Sequence, residues 1–248
     1  MSGEIVRRGD PSNDISARRI GNEQGATYGV GLNPEITGLS RPRLRVFADF
    51  GSGAVAGETG RQITDHLRIL SQVDASRDVV QAAVSGVTRE ILSATFDQQP
   101  RDDVLLVPVL RAGLAMWGEA NAYFGVPETS FLMGQKEKGT NRATVVWAKK
   151  NELDGKQVVI LDPIIATGDT LIEVCKGITD SFPTAEPPQL TVLACYAAPE
   201  GVNAVLSNTE NVDLVVGCMA ETVDTNGYLV PPTHGDMGDK LFGRVQGS

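Results

Sequence analysis

Apolar residues return along this chain in two different rhythms, and each change of rhythm marks an element. From Thr64 onward Leu67, Leu70 and Val73, then Val79, Val80, Val84, Val87, Ile91 and Leu92, recur at steps of three and four, which predicts two amphipathic helices. The pattern then condenses into a wholly apolar run, VLLVPVL over residues 104–110, behind the turn-like QQPRDD. A run that is apolar at every position has both faces covered, so it predicts a buried parallel strand. Comparable runs predict strands at 129–133, 143–149, 157–161, 190–196 and 212–216, with helical stretches at 113–123, 170–179 and 201–206. This alternation predicts an α/β fold, a mainly parallel open sheet flanked by helices and joined by right-handed crossovers.

Residues 1–45 depart from that order: seven arginines stand against five acids among many Gly, Asn and Ser, with no period. They read as part of a partly ordered amino-terminal extension running to residue 60, or as an arginine-rich arm that docks on the acidic body of its own or another subunit. The stretch GSGAVAG (51–57) imitates a phosphate loop but lacks the Lys-Ser/Thr ending, and so reads as a turn or flexible loop. Over all 248 residues, 22 bases against 31 acids leave a charge of −9, which argues against a nucleic-acid partner. No apolar run is long enough to span a bilayer and the first residues carry no signal-peptide core, so a cytoplasmic protein without a membrane partner is expected. The three cysteines, Cys175, Cys195 and Cys218, lie in apolar runs without C-x-x-C spacing and read as core residues.

Candidate chemistry concentrates in QVVILDPIIATGDTLIEVCKGI, residues 157–178. A strand ends at Asp162, a short loop closes with Ala166-Thr167-Gly168-Asp169-Thr170, and a helix starts at once. Small residues, two hydroxyls and unpaired backbone N–H groups thereby gather at a helix amino end beyond a strand's carboxyl end, where a phosphate is held well. Gly168 lets the backbone approach a ligand, while Thr167 and Thr170 can donate hydroxyl protons. Asp162 accepts hydrogen bonds and repels anions, so it suits ribose hydroxyls. An ordinary βα turn capped by threonine is the plainer alternative. No Walker lysine and no G-x-G-x-x-G occurs here, which disfavours a P-loop kinase and a nicotinamide dehydrogenase. In PVLRAGLAM (108–116), Arg111 follows a buried strand, and its planar fork of donors suits a pyrophosphate.

LDPIIATGDT (161–170) resembles the phosphoribosyl pyrophosphate (PRPP) signature of type I phosphoribosyltransferases, and the nearest match is the uracil phosphoribosyltransferase family. The likeness is also carried by VTREI (87–91), PVLRAGLAM (108–116), AAPEGV (197–202) and NGYLVPPTHGDMGDKLFG (226–243), in the family's order. It implies a type I phosphoribosyltransferase fold over residues 61–248, with a small base-binding hood toward the carboxyl terminus. It also implies PRPP binding by Arg111, Lys136, Asp162, Pro163, Ile164, Ile165, Ala166, Thr167, Gly168, Asp169, Thr170 and Asp236. The nucleobase would meet Tyr228, Leu229, His234, Gly235, Asp236 and Met237, largely through main-chain groups, with Tyr228 free to pack on the ribose or in the core. Catalysis would rest on Arg111, Asp162 and Asp236, with Mg²⁺ held mostly by PRPP and weakly by Asp236.

Three departures stand out. PPTHGDMGD is one residue longer than the family's PGLGDAGD and puts Met237 in place of alanine, which leaves the acceptor open between uracil and a related pyrimidine-like heterocycle. The hood arginine of the family has no unique counterpart in GQKEKGTNRA (134–143), where Lys136, Lys138 or Arg142 can supply the charge. Asp169 replaces a common glycine, and its side chain is expected to point outward or to cap the helix. The implied reaction moves the 5-phosphoribosyl group of PRPP to a ring nitrogen, giving a nucleoside monophosphate and pyrophosphate. A non-catalytic regulator sensing PRPP or nucleotide on the same scaffold is the alternative, and the family suggests a homodimer or higher homo-oligomer.

Overall fold

The computed structural model describes residues 15–20, 27–32, 43–50, 54–70, 72, 74–97, 100–136, 143–149, 155–181, 188–225, 227–230 and 236–243. The apolar runs become the middle of its sheet. In chain order the strands are β1 (Ile15–Ile20), β2 (Thr27–Leu32), β3 (Leu44–Asp49), β4 (Ala54–Val55), β5 (Val104–Leu110), β6 (Glu128–Thr129), β7 (Phe131–Lys136), β8 (Ala143–Lys149), β9 (Gln157–Leu161), β10 (Ile164–Ile165), β11 (Leu190–Ala197), β12 (Val212–Met219), β13 (Thr222–Val223) and β14 (Leu229–Val230). The helices are α1 (Gly57–Leu70), α2 (Arg77–Thr95), α3 (Leu114–Tyr123), α4 (Asp169–Thr179), α5 (Pro199–Asn208) and α6 (Met237–Phe242).

The main sheet runs β4-β3-β12-β11-β9-β5-β7-β8, with β6 on β5 and β10 on β11. Pairing is parallel except where β4 meets β3 and β8 meets β7. Alternate side chains of each central strand feed two cores. Val104, Leu106, Val159, Leu161, Leu193 and Val215 pack under α1, α2, α3 and α6. Leu105, Val107, Val158, Ile160, Val192 and Leu214 pack under α4 and α5. Burial on both faces is what the unbroken apolar runs require, each such side chain contributing roughly 1.5–3 kcal/mol. The cysteines are all buried and free, and desolvation pushes the Cys175 and Cys195 thiols up to about 12.

Predicted elements recur with boundaries moved by a few residues, and several go beyond the prediction, among them the antiparallel β1–β2 pair within the stretch read as an extension. Within the stretch read as an extension, Leu44–Asp49 pairs in parallel with β12, and Ala54–Val55 adds the short edge strand after it. Arg43 is 5% exposed, and its guanidinium donates to the carbonyls of Val212 (2.6 Å) and Thr209 (3.1 Å). That arginine docks on backbone carbonyls at the end of α5 and the start of β12, groups that a helix terminus leaves without intrahelical partners. The first helix begins at Gly57, before the periodic run from Thr64. At the other end, the loop expected around the carboxyl-terminal glycines contains α6, capped by Asp236, whose side chain accepts from the Asp239 N–H.

Candidate functional site

β5 and β9 are neighbours, yet the chain leaves them in opposite directions. From β5 it crosses through α3 to β7, and from β9 through α4 to β11, on the other face of the sheet. A crevice must open beyond the carboxyl ends of two strands that diverge in this way, and ligands of open α/β sheets bind there. Arg111 stands at the end of β5 and Asp162 at the end of β9. The turn carrying Arg111 lies hard against β9, since a Cβ at Gly113 would come within 2.3 Å of the Leu161 carbonyl oxygen.

Pro163 interrupts β9, its carbonyl accepting from the N–H groups of Cys195 and Tyr196. Ile164 and Ile165 then resume pairing, on β11. Ile165 is buried under α5, so only its main chain is available to a ligand, whereas Ile164 is partly buried. The loop next turns through Ala166 and Thr167 to Gly168, at φ +85°, and α4 starts at Asp169. First-turn N–H groups of α4 have no acceptor within the helix, which leaves them for an anion. AAPEGV acquires a physical role here. A Cβ on Gly201 would fall 2.2 Å from the Ala166 carbonyl oxygen, and one on Gly168 would fall 2.7 Å from the Gly201 oxygen. The loop and the amino end of α5 meet backbone to backbone, and neither glycine can take a side chain unless the backbone facing it moves.

Thr167 and Asp169 are exposed and Thr170 half-buried. The Thr167 hydroxyl donates to the Asp169 carboxylate at 2.9 Å. Asp169 thus points outward and holds a hydroxyl that a phosphate would otherwise receive, and Thr170 stands at the second turn-forming position of the helix. Burial pushes the Asp162 carboxyl up to about 7, the Asp236 charge adds to the rise, and a hydrogen bond from the Ile164 N–H opposes it. Asp236, exposed at the head of α6, stands on the Arg111 side of this site, since a Cβ on Gly238 would lie 3.0 Å from Asp236 Oδ1 and 3.5 Å from Arg111 Nη2. Arg111 is half-buried; its Nη2 donates to Asp239 at 2.8 Å and its Nη1 to the Gly243 carbonyl at 2.9 Å. The β13–β14 hairpin borders the Ala166–Thr170 loop, as a Cβ on Gly227 would lie 3.7 Å from the Thr167 methyl.

Among residues expected at a base, Tyr228 is 44% exposed, which removes it from the core. Leu229 and Met237, at 2% and 4% exposure, are core side chains on the α1–α3 face, so each offers only its main chain. Met237 therefore enlarges the core where a pocket-lining side chain was expected, because the first turn of α6 directs it inward. β7 runs parallel to β5 and carries Lys136 at its carboxyl end, on the same sheet edge as Arg111. Lys138, Arg142, His234 and Gly235 lie outside the described residues. Among the described residues no group of three or more His, Cys, Asp or Glu can hold a metal ion, and no helix is long and apolar enough to cross a membrane. Asp239 is the site residue with no assigned role in the sequence reading; its signal was the D-x-x-D spacing to Asp236, which builds a helix cap.

The family model for uracil phosphoribosyltransferase matches residues 53–244. A uracil phosphoribosyltransferase of Kineococcus radiotolerans is 33% identical over 192 residues, 75% of this chain and 88% of that protein. The enzyme of Nocardioides sp. is 32% identical over 192 residues, 75% of this chain and 87% of its own. Among solved structures, the AQ2163 protein from Aquifex aeolicus superposes with a TM-score of 0.65 at 25% identity, covering 73% of this chain and 94% of that one. The matched residues span the Arg111 turn, the Ala166–Thr170 loop and the carboxyl-terminal helix, the match covers nearly nine-tenths of the relatives' own length, and the chain belongs to the uracil phosphoribosyltransferase family.

Proposed function

We propose that the chain transfers the 5-phosphoribosyl group from PRPP to a ring nitrogen of uracil, giving the nucleoside monophosphate and pyrophosphate. The observation that carries this reading is the pairing of Arg111 with the Ala166–Thr170 loop, at the carboxyl ends of adjacent strands where the topology switches. One element suits a 5′-phosphate and the other a departing pyrophosphate, with Asp162 between them for the ribose hydroxyls. The relatives' names support uracil as the acceptor, and the regulatory alternative draws no support from them.

The C1′–O bond to pyrophosphate breaks as the N–C1′ bond forms, and positive charge develops on the ribose in between. Such a reaction needs no protein nucleophile; it needs both partners held in line and the leaving group neutralised. The free N–H groups of α4 and the Thr170 hydroxyl bind the 5′-phosphate, and Thr167 joins them once its hydroxyl turns from Asp169. Arg111 meets the pyrophosphate with its fork of donors, and Lys136, Lys138 or Arg142 adds a further cation. Asp162 accepts from the ribose diol. The base lies against main chain near Leu229 and Met237, with Tyr228, His234 and Gly235 in the same segment.

The donor set fits a magnesium ion that travels with PRPP. The Asp236 charge acts on Asp162, yet the described carboxylates form no cluster able to hold the ion alone. Mg²⁺ keeps most of its waters and binds phosphate oxygens well, so Asp236 would complete its shell while the ion offsets leaving-group charge. A homo-oligomer in the cytoplasm is the setting that goes with this reading.

The test is release of pyrophosphate from Mg-PRPP across a panel of bases. Uracil should be the preferred acceptor, and Arg111→Ala should lower turnover by roughly 10²–10³-fold with the melting temperature nearly unchanged. Binding of PRPP without turnover on any base would overturn the enzyme reading, and near-normal turnover of the variant would overturn the role of Arg111.

A further inference from the structure

The Arg111 guanidinium is held from one side by α6 and the residue after it. Nη2 bonds Asp239 Oδ1 at 2.8 Å and Nη1 bonds the Gly243 carbonyl at 2.9 Å, while Nη2 and Nε pass over Gly238, 3.5 and 3.6 Å from where a Cβ would stand. Asp239 is itself fixed: its N–H donates to Asp236 Oδ1 at 2.9 Å, its carbonyl accepts from the Gly243 N–H, and Met237 and Leu241 bury the helix's inner face. These contacts join residues more than 120 apart in the chain, as the 128-residue separation of Arg111 and Asp239 records.

Two features decide what the contact does. The ion pair is open to water, at 38% and 31% exposure, and pairs so exposed add little to stability. A guanidinium also carries five N–H donors in one plane, and the bonds to Asp239 and Gly243 use two of them, which leaves three for a ligand. The arrangement therefore holds the fork without exhausting it.

We propose that Asp239 is a positioning residue that, with the Gly243 carbonyl, aims Arg111 at the leaving pyrophosphate. This rests on the phosphoribosyl-transfer reading above. It gives α6 a double duty, since the segment assigned to the base runs into its amino end and the arginine assigned to the leaving group is held by its first turn and by the Gly243 carbonyl just beyond its last residue. Order at the acceptor is thereby transmitted to the group that receives the charge.

A double-mutant cycle tests it. Wild type, Asp239→Asn, Arg111→Ala and the double variant are compared by calorimetric titration with Mg-PRPP and by kcat and KM for both substrates. Asp239→Asn should lower kcat/KM for PRPP by about tenfold to a hundredfold and leave the KM for uracil within about twofold. In the Arg111→Ala background it should cost less than about threefold more, because the group it positions is already gone. Asp239→Glu and Asp239→Gln, which differ from each other in charge alone, repeat the comparison should the asparagine variant fold poorly, and the glutamate should retain clearly more activity. Equal losses in both Arg111 backgrounds, an unaffected Asp239→Asn, or equal glutamate and glutamine variants would overturn the proposal. Failure of wild type to turn over any base would instead overturn the functional reading on which it stands.

Discussion

Gly201→Ala adds one methyl group at a position outside the residues assigned to PRPP, and it should nonetheless cost PRPP binding heavily. The new Cβ would lie 2.2 Å from the Ala166 carbonyl oxygen, where ordinary contact begins near 3.4 Å, so one backbone must retreat by about 1.2 Å. The helix side resists, because Val202, Val205 and Leu206 are buried in the core under α5. The loop side yields, since Thr167 and Asp169 are exposed immediately beyond Ala166. The shift therefore passes into the segment proposed to grip the 5′-phosphate, and a displacement of about 1 Å can cost on the order of 10²-fold. Stability should change far less. Overpacking costs about 1–3 kcal/mol, while alanine in place of glycine in a helix returns about 0.5–1 kcal/mol. For a chain of this size that amounts to a fall in Tm of under about 10 °C. Calorimetric titration with Mg-PRPP and a thermal melt separate the two effects. Gly118→Ala is the control, lying within α3 with no atom within 4 Å of its added methyl, and it should melt slightly higher and bind normally. Affinity of Gly201→Ala within about threefold of wild type would refute the coupling, and so would a collapse of the melt, which would show the strain relieved by unfolding.

Two more predictions concern neighbours of the loop. Burial raises the Asp162 carboxyl from 3.8 to about 7, so the folded state holds a proton there that the unfolded chain has lost. The stability tied to this proton is complete below about pH 4 and is lost as pH rises through 7, so Asp162→Asn should gain in Tm relative to wild type between pH 5 and 8. A constant difference between the two melts across that range would refute the assignment. Met237→Ala empties a core position and should cost about 2–5 kcal/mol, read as a lower Tm, while the order of preference across a base panel stays the same; a reordered panel would put that side chain in the acceptor pocket.

What the sequence made legible follows from how local each signal is. The run over Val104–Leu110 reads as a strand with the boundaries it has, since burial on both faces leaves every position apolar. The strand–loop–helix unit of the site was equally readable, because strand, acid, glycine and helix start all lie within 157–178 and each enforces its own geometry. β3 was not. Its sequence LRVFAD mixes Arg45 and Asp49 with apolar residues, and Arg45 lies over the Phe47 ring at 5.0 Å, an arrangement only the folded neighbours disclose. In α6, six residues give less than two turns, too few for a period to emerge, and its identity rests on a cap at Asp236 and a left-handed Gly243, at φ +84°.

The site itself is where local reading stops. Arg111 could be recognised from its own motif, but the groups that hold it lie near the end of the chain, and no spacing rule connects them. The same holds for Gly201, which looks like an unremarkable helix residue until its partner Ala166 is opposite. Met237 makes the converse point: as a departure from the family's alanine it suggested a reshaped pocket, yet its side chain turns into the core beside Leu229 and Leu241. A substitution's consequence depends on which way the backbone faces it, and in this loop that direction is set by a helix too short to announce itself. The two other departures in this loop, the inserted residue and His234, belong to the segment ahead of α6, whose cap at Asp236 holds Asp239 and whose Asp239 in turn holds Arg111.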